Sequence, residues 1–447
     1  MSSAHHRRSA VTRGVDAPRP PTQPQRIVVC GGGIVGLTTC YFLARQGHEV
    51  VCIEKDARVG SSTTFQDATL YSSWADVSLL YRKQMQTPDD KPFQVRAAAW
   101  FDPAFWAWGL KYMTSATSRK AKDNARKCRE LCNYSERVLL ELLRRHPDLE
   151  DHLDRVAQGT LEVFSNQNEL DDAWESDRVK HCLSEFQYPL HKLDSSDVAS
   201  IEPSLKREAI ASGAIFSPLG TNGDVQRTCE ALVVMCKQEG VMFRLETQIK
   251  DILVVDNRVV AIETTANELI EGDCFVLALG NDTSAMAKLA GVKLYMYPVK
   301  GYALTLRRRE TFPPLRCNIY SHGKAVVSPL IDGSVRISGG ADFAGKNYSV
   351  DPKRVAWLID QAKQVFPEGY LVESDIETHV SLRPVSADDV PLIGQTTVDN
   401  LYINAGHGSK GWAQSFGAAA LLADDMSGKI PALNIDQFSP HRFGILR

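Results

Sequence analysis

No run of apolar residues in this chain approaches the roughly 18 that a membrane-crossing helix needs, so any membrane contact has to be peripheral. An excess of one charge is also missing. With 51 basic residues against 54 acidic ones, and a net charge of −3 over 447 positions, no field favours nucleic acid, and that partner class drops out. The cysteines lack paired spacing. Cys30, Cys40, Cys52, Cys128, Cys132, Cys182, Cys229, Cys236, Cys274 and Cys317 are scattered. Cys128 and Cys132, four apart on an expected helix, have no second pair to complete a zinc site. Dispersed thiols fit a reducing, intracellular compartment, cytoplasmic or mitochondrial. The first 25 residues have no apolar stretch of the kind a secretory signal carries. They hold Arg7, Arg8, Arg13 and Arg19 against Asp16, with His5-His6 and several prolines that spoil an amphipathic targeting helix, so a disordered tail is expected. What remains is globular in composition, 43% hydrophobic and 23% charged, and too long for one compact core.

The stretch RIVVCGGGIVGLTTCYFLARQGHEVVCIE, Arg26 to Glu54, is the strongest signal. An apolar strand runs into Gly31-Gly32-Gly33-Ile34-Val35-Gly36; an apolar helix and a second strand follow, ending at the acidic Glu54. A lone GxGxxG is weak, but this one sits inside a βαβ unit with an acid at the end of the second strand, the setting of a dinucleotide site. Gly31 allows the tight turn, Gly33 a close approach to a pyrophosphate, and Gly36 close packing of helix on strand. The helix N-terminus supplies N–H groups and partial positive charge. Glu54 can accept bonds from two ribose hydroxyls and repels a 2′-phosphate.

Further along, Gly60-Ser61-Ser62-Thr63-Thr64 is a small polar stretch able to wrap phosphates. Residues 97–146 read as helical, with Trp100, Phe101, Phe105, Trp106 and Trp108 expected to pack in a core. From Gly159 the period becomes that of strands, GTLEVF and then AIFSP. A second nucleotide-domain block starts near Asp224, with a helix from Val225 to Gln238, a strand from Val241 to Leu245, a hairpin at Asp256-Asn257 and an apolar strand from Cys274 ending at Gly280. Gly280 lies where backbone can approach a ligand. Strands return over 294–345. Leu401 to Asn404 then turns through Ala405-Gly406-His407-Gly408-Ser409-Lys410-Gly411 into a helix from Trp412 to Met426. Two glycine-rich strand-to-helix turns suit a long ligand held at both ends.

With these blocks in place the chain resembles the FAD-dependent D-amino-acid oxidase and glycine oxidase superfamily, and within it the D-amino-acid dehydrogenase small-subunit type. The motifs are the opening fingerprint, Gly220 to Arg227 (GTNGDVQR), Tyr297-Pro298-Val299-Lys300-Gly301-Tyr302, Leu382-Arg383-Pro384, Pro391-Leu392-Ile393-Gly394, and Asn404 to Gly408 with Gly411-Trp412. The resemblance runs from about Arg26 to Phe443. It implies an α/β fold: a Rossmann-like, glutathione-reductase-like FAD-binding domain interrupted by an α+β substrate domain with a mixed, largely antiparallel sheet. The FAD-binding parts would be residues 26–75, 220–293 and 383–435, and the substrate parts 76–219 and 294–382, flanked by tails at 1–25 and 436–447.

By the same resemblance non-covalent FAD would lie against Gly31, Gly32, Gly33, Ile34, Val35 and Gly36, with Glu54 and Lys55 at the ribose, Ser62, Thr63 and Thr64 at the phosphates, and backbone near Ile249 at the adenine. Gly280 would come close to it, and Gly406, His407, Gly408, Gly411 and Trp412 would frame the flavin. Arg383 would clamp a substrate carboxylate, a role a planar guanidinium suits on physical grounds, and Tyr302 would be a second carboxylate contact, a pocket wall or an inward strand aromatic. The position of His407 in the family mainly shapes the flavin turn. Two departures, Asp67-Ala68-Thr69 and Lys410, fall near the expected flavin. The implied reaction is oxidation of an amino acid, most plausibly of D configuration, to a 2-oxo acid and ammonia, with a quinone-like electron acceptor or oxygen. A glycine, sarcosine or proline-type amine oxidase or dehydrogenase is the alternative enzyme, and a flavoprotein assembly factor the alternative without catalysis.

Overall fold

In the computed structural model, which describes residues 23–60, 70–71, 93–115, 117–153, 155–184, 188–321 and 325–443, two large sheets organise the chain. The first runs in the order Leu392–Gln395, Leu401–Ala405, Cys274–Leu277, Arg26–Cys30, Glu49–Ile53, Met242–Arg244. Its neighbours are parallel except for the edge pair formed by Leu392–Gln395 and Leu401–Ala405. The central strands are continuous apolar runs because both faces are covered. On one face Leu37, Leu131, Leu232 and Phe416 bring together the helices Ile34–Arg45, Ser118–Arg145, Val225–Gln238 and Gly411–Met426. On the other, Ile252, Ile262 and Ile270 of a three-stranded antiparallel meander pack on Val28 and Phe275. The meander turns at Asp256-Asn257, whose φ angles of 48° and 61° are the left-handed pair of a two-residue hairpin.

The nine-stranded second sheet follows the path Leu371–Ser386, Met296–Arg308, Val335–Phe343, Ala325–Pro329, Asn318–Ser321, Thr160–Phe164, Gly213–Ser217, His191–Leu193, with Phe93–Val95 beside Val335–Phe343. It is antiparallel apart from two parallel pairings. The register pairs Val299 with Arg383, Gly301 with Ser381, and Tyr302 with Val380. Directly paired residues share a face and successive residues alternate. Val299, Gly301, Ser381 and Arg383 therefore face one way. Tyr302, Leu304, Leu306 and Val380 face the other, into a core with Ile319, Val327 and Ile337 that the helix Pro352–Val365 closes.

Two expectations need correction. Of the five aromatics assigned to a core, Phe105 and Trp108 pack on Tyr297 and Phe343, but Trp100, Phe101 and Trp106 are 51%, 87% and 48% exposed. Positions 105, 108 and 112 form the single inward stripe of the helix Pro103–Ser115, and the other rings are rotated off it. Nor are residues 436–443 a loose tail: Phe438 is fully buried, and Arg442 donates through Nε and Nη2 to the two Asp388 carboxylate oxygens, each at 2.7 Å. All ten cysteines are buried and free of disulfides. Among the described residues no helix is long and apolar enough to cross a membrane.

Candidate active site

A cavity of about 320 Å³ opens at the carboxyl ends of the parallel strands. It runs from Thr247, Gln248 and Ile249, past Glu54 and Lys55, along Gly31, Gly33, Ile34 and Val35, to Gly280, Pro384, Gly406, His407, Gly408, Gly411 and Trp412. The two glycine turns, about 370 residues apart in the chain, thus face one space. Each opens a helix that has no side-chain N-cap: Gly33 precedes Ile34–Arg45, and Lys410 precedes Gly411–Met426. The positive ends of both helices point at the cavity with no side chain competing for it.

Glycine is required at the first turn for packing as well as for the ligand. Gly31 has φ +113°, and a Cβ on Gly36 would sit 1.8 Å from the Gly31 carbonyl oxygen. The Glu54 carboxylate accepts from the Gly32 N–H at 2.6 Å and the Asp56 N–H at 3.0 Å, which fixes it at the cavity edge. Gly32 and Gly36 support the turn without lining the cavity.

His407 is 3% exposed, and its two ring nitrogens are both engaged, Nδ1 with the Gln414 side-chain amide at 2.9 Å and Nε2 with the Asn404 amide at 3.0 Å. Asn404 donates its NH2 to Thr39 Oγ1, so its oxygen faces the imidazole and takes the Nε2 proton. Nδ1 must then accept a bond. Gln414 can supply it with its amide rotated, which also satisfies a Gln414 nitrogen otherwise left without a partner. Burial pushes the imidazole down to about 4, so it is neutral at ordinary pH. A neutral imidazole with both nitrogens committed holds the turn in shape and has no lone pair to offer as a base. Lys410 likewise points away from the cavity: its ammonium donates to Asp389 at 2.8 Å in an ion pair whose side chains are 10% and 7% exposed.

Arg383 lies flat over Gly301. A Cβ at Gly301 would come within 2.4 to 2.8 Å of the guanidinium, and Nη1 donates to the Gly340 carbonyl at 2.9 Å. Its neighbour Pro384 lines the cavity, and Val385 forms a β-bridge with His407. Tyr302 does not join Arg383. It is 1% exposed on the opposite face, where burial raises its phenol to about 12, so of its three expected positions it occupies the inward one. Ser62, Thr63, Thr64 and the Asp67-Ala68-Thr69 departure lie outside the described residues.

Sequence reasoning missed the mouth of the cavity. Asp282 accepts from Lys55 at 3.1 Å and from Lys346 at 2.6 Å, tying the loop that carries Lys346 and Tyr348 to the first sheet. Desolvation raises the Asp282 carboxyl, but the Lys346 bond and the two ammonium charges outweigh it and hold it below the usual range. The buried Lys300, lowered by desolvation, donates to Asn347 Oδ1 and the Ser349 carbonyl and fixes the base of the same loop. No local motif marks these contacts, because each partner is distant in the chain. Asn222 and Asp224 of the GTNGDVQR motif are structural. Asn222 accepts from the Val156 and Ala157 N–H groups, and Asp224 caps the helix Val225–Gln238.

Residues 26–425 match the model of the DAO family, described as FAD dependent oxidoreductase, and the chain belongs to that family. It is 30% identical to a D-amino acid dehydrogenase of Paramagnetospirillum magneticum over 94% of this chain and 99% of that protein. A D-amino acid dehydrogenase of Bradyrhizobium diazoefficiens is also 30% identical, over 94% and 100%. Among solved structures it superimposes on an L-proline dehydrogenase from P. horikoshii with a TM-score of 0.71 at 19% identity, covering 94% of this chain and 98% of the other. A glycine oxidase from Bacillus cereus gives 0.67 at 20%, covering 90% and 95%. These two likenesses establish the fold. The protein is an FAD-dependent oxidoreductase, and the long cavity with an uncapped helix N-terminus at each turn and a carboxylate at its edge fits that cofactor.

Proposed function

We propose that the chain oxidises the Cα–N bond of a D-amino acid to give a 2-oxo acid and ammonia, and that its electrons leave to a quinone-like acceptor. The observation that carries this reading is Arg383, laid across Gly301 two residues before the bridge to the His407 turn. It offers a planar, two-pronged cation to a carboxylate beside the cavity. The D-amino acid dehydrogenases at 30% identity support the substrate class.

Bound FAD supplies a two-electron acceptor for the Cα hydride, leaving an imino acid that water hydrolyses. The chain itself positions. Gly31, Gly33, Ile34 and Val35 would present backbone and a helix N-terminus to the pyrophosphate, Glu54 and Lys55 would meet the ribose, and backbone near Ile249 the adenine. Gly280, Gly406, His407, Gly408, Gly411 and Trp412 would frame the flavin, and the uncapped N-terminus of the helix Gly411–Met426 would offer it a partial positive charge. Arg383 fixes the carboxylate, and with it the direction of Cα–H. No general base is required once the amine binds neutral, which agrees with the engaged nitrogens of His407. Residues 26–75, 220–293 and 383–435 form the cofactor part of this scheme, and 76–219 with 294–382 the substrate part.

The Lys410–Asp389 pair supports the choice of acceptor. A cation neutralised in place by a buried carboxylate does little to attract developing superoxide.

An anaerobic titration tests the function. Flavin absorbance should bleach with D-amino acids. Bleaching by glycine, sarcosine or proline alone would move the assignment to secondary or small amines, and no bleaching with any of them would remove the catalytic reading.

A further inference from the structure

The helix Pro103–Ser115 is apolar on two sides. Phe105, Trp108 and Tyr112 face inwards, where Phe105 and Trp108 meet Tyr297 and Phe343 and Trp108 stacks on Tyr112. Trp106, Leu110 and Met113 stand at the i, i+4, i+7 spacing of a second stripe, turned from the first by roughly 130° at about 100° per residue. Leu110 and Met113 are 65% and 72% exposed, alongside the exposed Trp106, Trp100 and Phe101. The Trp100 and Trp106 rings lie 5.5 Å apart, and Trp106 Nε1 donates to the Trp100 carbonyl at 3.0 Å, so the five side chains form one surface. A helix that is apolar all round is normally covered all round, and a contiguous exposed patch of this kind marks a contact surface.

Charge indicates what covers it. Residues 95–122 hold five bases, Arg96, Lys111, Arg119, Lys120 and Lys122, against one acid, Asp102, in a chain whose net charge is −3. Arg96 is tied to Asp342 and Asp351, and Lys111 donates to the Phe443 carbonyl. Arg119, Lys120 and Lys122 are exposed at the start of the helix Ser118–Arg145, and Lys120 Nζ reaches back to the Thr114 carbonyl at 3.1 Å, next to Met113. Asp102 accepts from the Ala104 N–H at 2.9 Å at the head of the aromatic helix, so a second copy of this chain would bring little opposite charge to the cationic rim. Trp, Phe and aliphatic side chains rimmed by exposed cations are what a surface needs to dip into the headgroup region of an anionic bilayer.

The patch also lies one helix away from the cofactor turn. Trp108 Nε1 donates to the Val385 carbonyl at 3.0 Å, and Val385 bridges to His407. A helix about 10–12 Å across therefore separates that bridge from the exposed stripe.

We propose that Trp100, Phe101, Trp106, Leu110 and Met113 form a lipid-contact surface that seats the protein on an anionic membrane, with Arg119, Lys120 and Lys122 at its rim. Among the described residues no helix could cross the bilayer, so the contact is made at the interface. It stands independently of the substrate and acceptor assigned above, though it would bring the cofactor turn close to an acceptor dissolved in the bilayer.

The test is sedimentation of the FAD-loaded full chain with vesicles of phosphatidylcholine alone and of phosphatidylcholine with phosphatidylglycerol. The parent should bind the anionic vesicles about tenfold or more tightly than the neutral ones, and added salt should weaken that binding. Leu110→Glu/Met113→Glu should lower the affinity about tenfold or more per substitution. Both side chains are exposed, so its thermal midpoint and flavin spectrum should not change, which separates loss of the contact from loss of fold. Arg119→Ser and Lys122→Ser should each weaken binding to anionic vesicles about fivefold and leave neutral vesicles unaffected. A parent that ignores anionic vesicles overturns the proposal. Binding that survives in Leu110→Glu/Met113→Glu also overturns it and moves the contact to another part of the chain. A concentration-dependent dimer that the double variant disperses, with no vesicle binding by the parent, overturns it as well and assigns the patch to a second copy.

Discussion

The two sides of the cleft are built from different materials. On the cofactor side the contacts come mainly from backbone: two glycine turns and two helix N-termini, with Glu54 as the fixed side chain. On the proposed substrate side the contact comes from one side chain seated by register across three strands: Arg383 lies over Gly301 and donates to the Gly340 carbonyl. A backbone site depends on local conformation, so it is written in short contiguous motifs. A side-chain site depends on register, so it is spread over positions far apart in sequence and has meaning only once the strands are aligned.

Substitutions can break or sharpen this contrast. The largest effect belongs to Arg383→Ala, which should weaken carboxylate binding by about 2–5 kcal/mol, in line with truncated buried charge pairs. The flavin spectrum reports the cofactor side separately and should keep its shape, whereas a colourless variant would show the two sides to be one unit. Gly36→Ala makes the opposite cut. Its new Cβ meets backbone that cannot give way, so about 3 kcal/mol of stability should be lost, along with FAD content. Denaturation midpoints and released FAD measure both, and a fully loaded, stable Gly36→Ala would refute the close packing.

His407 adds a pH signature to the cofactor side. Folded, it titrates near 4, against 6.5 for the ordinary imidazole. The unfolded chain therefore binds the proton more strongly between these values. The contribution is complete above pH 6.5 and fades as pH falls towards 4, by roughly 3 kcal/mol at 1.36 kcal/mol per unit. Urea midpoints between pH 7 and 4 should fall less steeply in His407→Asn, and parallel slopes would mean that the imidazole charges in place. Gly301→Ala pushes the guanidinium off its seat and should raise the Kd of a carboxylate inhibitor about tenfold, since a bidentate contact depends on geometry. Lys346→Ala comes last. The side chain is 54% exposed, so the loss of its bond to Asp282 should cost about 0.2–1 kcal/mol and vanish in high salt.

The same contrast decides what could be read in advance. The fingerprint, the second glycine turn and the Asp256-Asn257 hairpin were legible because glycine, or asparagine at positive φ, leaves a local mark. Arg383 entered as a candidate only through resemblance, since an arginine before a proline has no meaning by itself. The exposed Trp100, Phe101 and Trp106 were misread because composition shows that a helix is aromatic but not which way each ring turns. The Lys55–Asp282–Lys346 link joins positions up to 291 apart and has no pattern to betray it.

The strand Leu371–Ser386 has one more consequence. It is unbroken for 16 residues, carries Arg383, and ends against the His407 turn. The expected boundary between the two parts of the molecule, at residue 383, falls inside it, so the parts are joined there by a beam and not by a hinge. If Arg383 anchors the carboxylate as proposed, a beam keeps that anchor at one distance from the His407 turn in every substrate complex. The strand would then act as a caliper set for one carbon between carboxylate and amine. β-Amino acids, one carbon longer, would fit the anchor and miss the gauge. A single residue inserted after Ser381 would turn Arg383 into the Leu304 core and leave the caliper with one jaw.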